Sequence, residues 1–249
     1  MTTLPSWCTL VRADNPSLMT LDGTNTYVLS TTAGNVVVDP GPLLDPHLES
    51  VATLGPVAAV LLTHGHPDHA ESSGRFHEMT GAPTLARDPK LCIDADPLRT
   101  DGALVDVPDL ELRVVHTPGH TSDSVCFEVA DGSTRAVLSG DTILGRGTAV
   151  VAYPDGRLGP YLDSLRRLRL LDGVLVLPGH GPLRPDAGAA AAEYLAHRAE
   201  RLDQVRAALA AGAKTPLQVV EIVYADVDRA LWPAAEASVR AQLDYLQAG

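Results

Sequence analysis

The chain reads as an α/β layered domain followed by a helical appendix, and three observations predict it. Short apolar runs of strand length alternate with helical patterns up to about residue 185. From Pro185 onward the sequence becomes Ala-rich and helical. A length of 249 residues suits one large domain plus a small addition, with ample chain for a hydrophobic core.

The elements follow in order. Thr26–Ser30 and Asn35–Val38 are two short strands around a Thr31–Gly34 turn, a hairpin pattern stopped by Asp39-Pro40-Gly41-Pro42. Leu43–Leu54 is a candidate helix. Val57–Thr63 is a continuous apolar run, the pattern of a strand buried on both faces. A helix is expected over Ala70–Met79, ended by Gly81-Ala82-Pro83, and then a strand over Thr84–Ala86. Leu104–Val107 and Leu110–His116 flank a Pro108-Asp109 turn, and Val125–Val129 and Ala136–Ser139 flank Asp131-Gly132. Tyr161–Leu171 has the apolar spacing of an amphipathic helix, and Val174–Leu177 is a short strand entering Pro178-Gly179-His180-Gly181. Beyond Pro185 come three helices: Ala187–Ala211 stopped by Gly212, Thr215–Val223, and Pro233–Gln247. The expected domains are 1–185, layered, and 186–249, helical.

Composition narrows the function classes. Hydrophobic residues are 45% and charged residues 20%, ordinary for a globular protein and too apolar for disorder. No apolar run approaches a membrane-spanning length, and the N-terminus lacks a basic segment leading into an apolar one. Cys8, Cys92 and Cys126 lie far apart with no CxxC, so a cytoplasmic location without a disulfide scaffold is expected. A net charge of −12 gives no passive attraction to nucleic acid or anionic membrane.

The chemistry concentrates in one place. His64, His66, Asp68 and His69 put four metal-competent side chains within six residues, just past a predicted buried strand, with Gly65 and Pro67 permitting a tight loop. His120, Asp141 and His180 each follow a predicted strand and are flanked by Gly or Pro. Imidazole and carboxylate donors suit Zn²⁺, with Fe or Mn as alternatives. Seven donors exceed the four positions of one tetrahedral zinc and suit two metals sharing one carboxylate. His47, His77 and His197, each alone, are read as structural, and His116 as a packing residue near His120.

The motifs THGHPDH, TPGHT, SGDT and PGHG, in this order and spacing, resemble the metallo-β-lactamase superfamily over about residues 25–181. The resemblance implies a four-layer αββα sandwich with metals at one edge between the sheets. It implies that His64, His66 and His120 hold a first metal, that Asp68, His69 and His180 hold a second, and that Asp141 bridges them. It also implies that Asp39, in VVVDPG, supports the metal loop from behind. The entry LDGTNTY (Leu21–Tyr27), the pattern His197-Arg198-x-x-Arg201-x-x-Gln204 and the segment from Thr215 look like the β-lactamase-like endoribonuclease and glyoxalase II-like branch, with a winged-helix-like C-terminal appendix.

Two substrate classes stay open at this level. One is a thioester or ester, hydrolysed by a metal-bridging hydroxide with Asp68 orienting the nucleophile or relaying its proton. The other is single-stranded RNA. Antibiotic hydrolysis, a mono-iron oxygenase and a non-catalytic metal-binding protein rank lower. Thr24, Asn25 and Tyr27 are candidates for the mouth of the site, and Gly145–Gly159 for a bordering loop. Arg198 and Arg201 share a helix face that suits a carboxylate or one phosphate, unless it is a solvated face paired with Glu200 and Asp203. Residues 186–249 hold nine acids against six bases, no basic face for gripping a long nucleic acid. The final helix offers Val239, Leu243 and Leu246 to the first domain or to a second copy in a homodimer.

Overall fold

In the computed structural model, which describes residues 3–248, two five-stranded sheets lie face to face. The first contains β1 (Cys8–Arg12), β2 (Asn25–Leu29), β3 (Asn35–Val38), β4 (Val57–Leu61) and β5 (Thr84–Leu85), side by side in that order. Its β1–β3 meander is antiparallel, and β3–β4–β5 are parallel. The parallel crossovers are α1 (Asp45–Ala52) and the pair α2 (Pro67–Ala70) and α3 (Ser73–Thr80). The second sheet contains β6 (Leu104–Val105), β7 (Glu111–His116), β8 (Val125–Ala130), β9 (Arg135–Gly140) and β10 (Leu175–Pro178), with β10 joined parallel to β9 through α4 (Leu158–Leu168).

The two-residue period of the strands sorts their side chains into layers. Val36 and Val38 of β3, Leu112 and Val114 of β7, Phe127 and Val129 of β8 and Leu138 of β9 fill the space between the sheets. Their neighbours point outward. Val28, Val37 and Val60 pack on Leu48 and Val51 of α1 and Phe76 of α3. Val115, Cys126, Val137 and Val176 pack on Tyr161, Leu162 and Leu165 of α4 and on the first turns of α5 (Ala187–Ala210). The result is an αββα sandwich. Each fully buried Leu, Val or Phe in it contributes roughly 1.5–3 kcal/mol of transfer free energy.

The C-terminal helices are α5, α6 (Pro216–Val223) and α7 (Trp232–Ala248). Val205 and Ala208 of α5 share a small core with Val219, Val220 and Val239. The N-terminal half of α5 belongs to the large core, so one helix is common to both. A capping box at Thr215 and Gln218 starts α6, and Gly212 ends the preceding turn at φ +102. The final helix lies on α4 and α5, with Ala241 in the large core and Arg157 bonded to Asp244. Among the described residues no helix is long and apolar enough to cross a membrane. The three cysteines are free.

Several boundaries differ from the sequence reading. The single helix expected over Ala70–Met79 is two. Ser72 is fully buried, and its hydroxyl donates to the Gly41 carbonyl at 2.8 Å, turning the chain between α2 and α3. The first of these helices begins earlier than expected because Pro67 sits at N1, where its missing N–H is not needed. Helix α4 starts at Leu158, because Pro160 falls in the first turn and breaks no hydrogen bond there. Strand β4 is buried on both faces only at Val60 and Leu61, where β5 pairs with it, and Ala58 is exposed. Strand β1 was not foreseen, being an exposed edge with only Cys8 buried.

Candidate metal centre and active site

Every side chain of the predicted cluster leaves the C-terminal end of a strand. His64, His66, Asp68 and His69 follow β4, His120 follows β7, Asp141 follows β9 and His180 follows β10. Two of these departures depend on glycine. Gly140 takes φ +46 against Thr63, and a Cβ on Gly179 would lie 2.6 Å from Asp141 Oδ1 and 2.7 Å from His69 Cε1.

The donors converge as two groups. His64, His66, His120 and Asp141 bring one ligand atom each within 4.8 Å of one another, and so do Asp68, His69 and His180. His66 Nδ1 lies 3.0 Å from both His64 Nε2 and His120 Nε2. His180 Nε2 lies 3.1 Å from both His69 Nε2 and Asp68 Oδ2. Bonds of about 2.0–2.1 Å to one tetrahedral ion place ligand nitrogens about 3.3 Å apart, so these spacings fit a metal. Asp141 stands between the groups. Its Oδ2 is 3.7 Å from His120 Nε2, and its Oδ1 is 3.5 Å from both His69 Nε2 and His180 Nε2. Asp141 Oδ1 is buried without a hydrogen-bond partner. A buried orphan carboxylate oxygen facing imidazole nitrogens is costly unless a cation is present.

The outer nitrogens are anchored. The Nδ1 atoms of His64, His69, His120 and His180 face Thr63 Oγ1 (3.0 Å), Asp39 Oδ2 (2.8 Å), the Val150 carbonyl (2.6 Å) and the Gly23 carbonyl (3.3 Å). That leaves each Nε2 directed inward. Asp39 holds φ +54, an unfavourable conformation for a non-glycine residue. There its carboxylate accepts from Thr63 N–H, Thr63 Oγ1 and His69.

The electrostatics follow the crowding. Burial drives the pKa of His64 far down and that of His120 to about 4. Burial also opposes charge on His69 and His180, but the Asp141 carboxylate outweighs it, raising His69 strongly and His180 to about 9. Burial pushes Asp68 up, yet the His180 hydrogen bond and the His69 charge hold it at about 2.

A cavity of about 310 Å³ opens beside His120 and Asp141 and runs under the C-terminal helices. The loop after β9 borders it at Arg146–Val150, within the predicted Gly145–Gly159 segment. Arg198 and Arg201 line it, but not as a solvated face. Arg198 is 3% exposed, donates to the Ala149 carbonyl and stacks 5.2 Å over Tyr161, while Arg201 donates to the Val223 carbonyl. Glu200 and Asp203 instead accept from Gln204 and Arg206.

Asn25 and Tyr27 do not reach the mouth. Both are buried and bond the Pro178 carbonyl, holding the His180 loop, because their positions on β2 face the sheet interior. Thr24 lies beneath Asp68, with Oγ1 3.3 Å from Asp68 Oδ2. His47, His77 and His116 bond Thr26 and the Ala82 and Leu98 carbonyls, as packing residues do. His197 differs from the sequence reading: it lines the cavity with a buried, unpartnered Nδ1. Thr63 was missed, its short hydroxyl carrying no motif signal of its own.

Residues 19–180 match the metallo-beta-lactamase superfamily, and residues 215–248 match the beta-lactamase associated winged helix domain. The chain belongs to the metallo-beta-lactamase superfamily. A "Beta-lactamase-like protein 2 homolog" of Drosophila melanogaster is 34% identical across 94% of this chain and 85% of that protein. An "Atrochrysone carboxyl ACP thioesterase" of Aspergillus fumigatus is 30% identical across 86% and 72%. A crystal structure of a metallo-beta-lactamase family protein from Thermus thermophilus superposes with a TM-score of 0.82 and 25% identity, covering 98% of this chain and 94% of that one. The chain is therefore an enzyme of the superfamily's hydrolase type, with a His/Asp centre suited to metal.

Proposed function

We propose that the protein is a dinuclear metal-dependent thioester or ester hydrolase. The observation that carries this reading is the position of Asp141, one oxygen toward each donor group, at the edge of a small cavity. His64, His66 and His120 would hold one ion, Asp68, His69 and His180 the other, and Asp141 would be shared. Zinc fits this donor set, and iron or manganese would also be accepted by it. Bound there, such ions supply Lewis acidity and bring the pKa of water toward about 7.

The chain's own side chains supply orientation and proton handling. The Asp68 carboxylate is partly open to the site and accepts a proton from the attacking water. Thr24 and His180 fix its direction. Asp39 and the carbonyls of Val150 and Gly23 keep the imidazole rings from rotating. A thiolate leaving group, with a thiol pKa of about 8.5, departs near neutral pH without a dedicated acid.

Thioesters are favoured over RNA on three grounds. The cavity sits at the low end of small-molecule site volumes, about 300–1,000 Å³. Of the arginines in the C-terminal segment, Arg198 is buried and Arg206 and Arg240 are paired with Asp203 and Glu236, leaving few to track a phosphate backbone. One relative is named as a thioesterase. For the chain's organisation we keep a layered catalytic unit over 1–185 and a helical winged-helix-like unit over 186–249, with α5 as the strut between them.

The test is metal content of the purified protein, then turnover of an acyl thioester and of a labelled single-stranded RNA, with His66→Ala as control. About two metal ions per chain and thioester turnover lost in the variant are expected. RNA cleavage lost in the variant with thioesters untouched would replace this reading with the ribonuclease one.

A further inference from the structure

The cavity beside Asp141 is built from two parts of the chain and has an unusual charge pattern. Leu18, Met19 and Leu21 line one part of it, and Val227 and Leu231 of the α6–α7 connection with Ala234 of α7 line another. His197, Arg198 and Arg201 of α5 line it as well. Among the lining residues Asp141 is the sole carboxylate, and it belongs to the metal centre. Arg146, a third arginine on the wall, is already held by both oxygens of Asp22.

Arg198 and Arg201 have no such partner among the described residues. Of the acids on α5 and α7, Glu193 pairs with Arg184, Asp203 with Arg206 and Glu236 with Arg240, while Glu200 accepts from the Gln204 amide. The Arg198 side chain is almost wholly buried, its Nε is without an acceptor, and His197 Nδ1 beside it is equally unpartnered. A buried guanidinium with an unused N–H and no counter-charge is costly in an apolar wall, and an anionic ligand group would offset that cost with charge-assisted hydrogen bonds.

We propose that this cavity is the acyl pocket and that it selects acyl groups with an apolar middle and a carboxylate at the far end. His197, Arg198 and Arg201 receive the carboxylate, and the Leu18, Val227 and Leu231 walls receive the methylenes. The proposal rests on the hydrolase reading above for its placement of the scissile carbonyl near His120 and Asp141. The reaction it implies is plain hydrolysis: water adds to the thioester carbonyl, the C–S bond breaks, and the products are a dicarboxylate and a thiol. A reaction that forms ω-carboxyacyl thioesters must supply the substrate.

The test has a binding arm and a turnover arm. In the first, metal-loaded protein is titrated calorimetrically with free succinate, glutarate and adipate and with butyrate, pentanoate and hexanoate. The two series share the carboxylate that meets the metals and differ at the other end. At least one dicarboxylate should bind tenfold or more tightly than its monocarboxylate partner. Arg201→Gln should bring that ratio to about one, and Arg206→Gln, on the exposed face, should leave it unchanged. In the second arm, N-acetylcysteamine thioesters of the same acids are compared, and kcat/KM should favour the ω-carboxyacyl member by the same factor. Dicarboxylates that bind no better than monocarboxylates, or a ratio that survives in Arg201→Gln, would overturn the proposal. Hydrolysis of neither thioester series would overturn the hydrolase reading, while the binding arm still decides the pocket.

Discussion

Replacing Asp39 with Asn separates the role of its charge from the role of its shape. The side chain is 2% exposed. One oxygen accepts from Thr63 N–H at 2.8 Å, and the other lies 2.7 Å from Thr63 Oγ1 and 2.8 Å from His69 Nδ1. An amide keeps the first contact through its oxygen and turns an NH₂ toward His69. For His69 to offer Nε2 to a metal, its proton must sit on Nδ1, so donor then faces donor in a buried place. Either His69 moves its proton to Nε2, where it blocks the metal, or an unmet donor costs about 1–3 kcal/mol. By either route the group of Asp68, His69 and His180 should bind metal about 10–100-fold more weakly, or about 1.4–2.7 kcal/mol. The group of His64, His66 and His120 touches Asp39 only through Thr63 and should change much less. Titrating the metal-free protein with Zn²⁺ against a chromophoric chelator resolves the two steps, with circular dichroism to show that the fold persists. Equal weakening of both steps, or no change in either, would refute the argument that Asp39 acts by fixing the His69 tautomer.

Two further outcomes follow from the same geometry. Gly179→Ala places a Cβ 2.6 Å from Asp141 Oδ1, and the overpacking should cost about 1–3 kcal/mol and shift the Asp141 carboxylate. Thermal unfolding and metal content should both fall, whereas Gly74→Ala, with nothing within 4 Å of the new methyl on α3, should be neutral or stabilising. Without bound metal, stability should fall as pH rises. With the His180 pKa raised to about 9, its contribution is complete below the unfolded value of about 6.5 and is lost as pH rises toward 9, at most on the order of 3 kcal/mol. The metal-free protein should therefore lose Tm between about pH 6.5 and 8.5, below the range where Cys8 and Cys126 add their own dependence, and the metal-loaded protein should not. A flat metal-free profile would count against the proton taking the metal's place.

The side chains that converge were legible because each carries its own local signal. His64 to His69 are adjacent in sequence, and His120, Asp141 and His180 each stand between a strand and a glycine or proline turn. Those turns exist because the chain must leave a strand end abruptly, and that demand is written in residue type. The four layers followed from the motif resemblance and not from periodicity, since β3 (NVVV) and β9 (RAVLSG) are buried on both faces and carry no alternation that would assign them. The break between α2 and α3 was not legible, because it depends on Ser72 finding the Gly41 carbonyl, thirty-one residues away in sequence. The inward turn of Asn25 and Tyr27 was hidden likewise, since their partner is a carbonyl on the His180 loop.

The arginines of α5 show where helical spacing stops being informative. At i and i+3, Arg198 and Arg201 share a face, and on an isolated helix that face would be read against its own neighbours, Glu200 and Asp203. What decides their state is what packs on that face. The loop after β9 presents the Ala149 carbonyl to Arg198, and the end of α6 presents the Val223 carbonyl and the Tyr224 ring to Arg201. Carbonyl dipoles and a ring face orient a guanidinium but supply no net negative charge. The helical appendix thus closes a wall over the metal centre and leaves positive charge inside it, so its contribution to the site is electrostatic as well as steric.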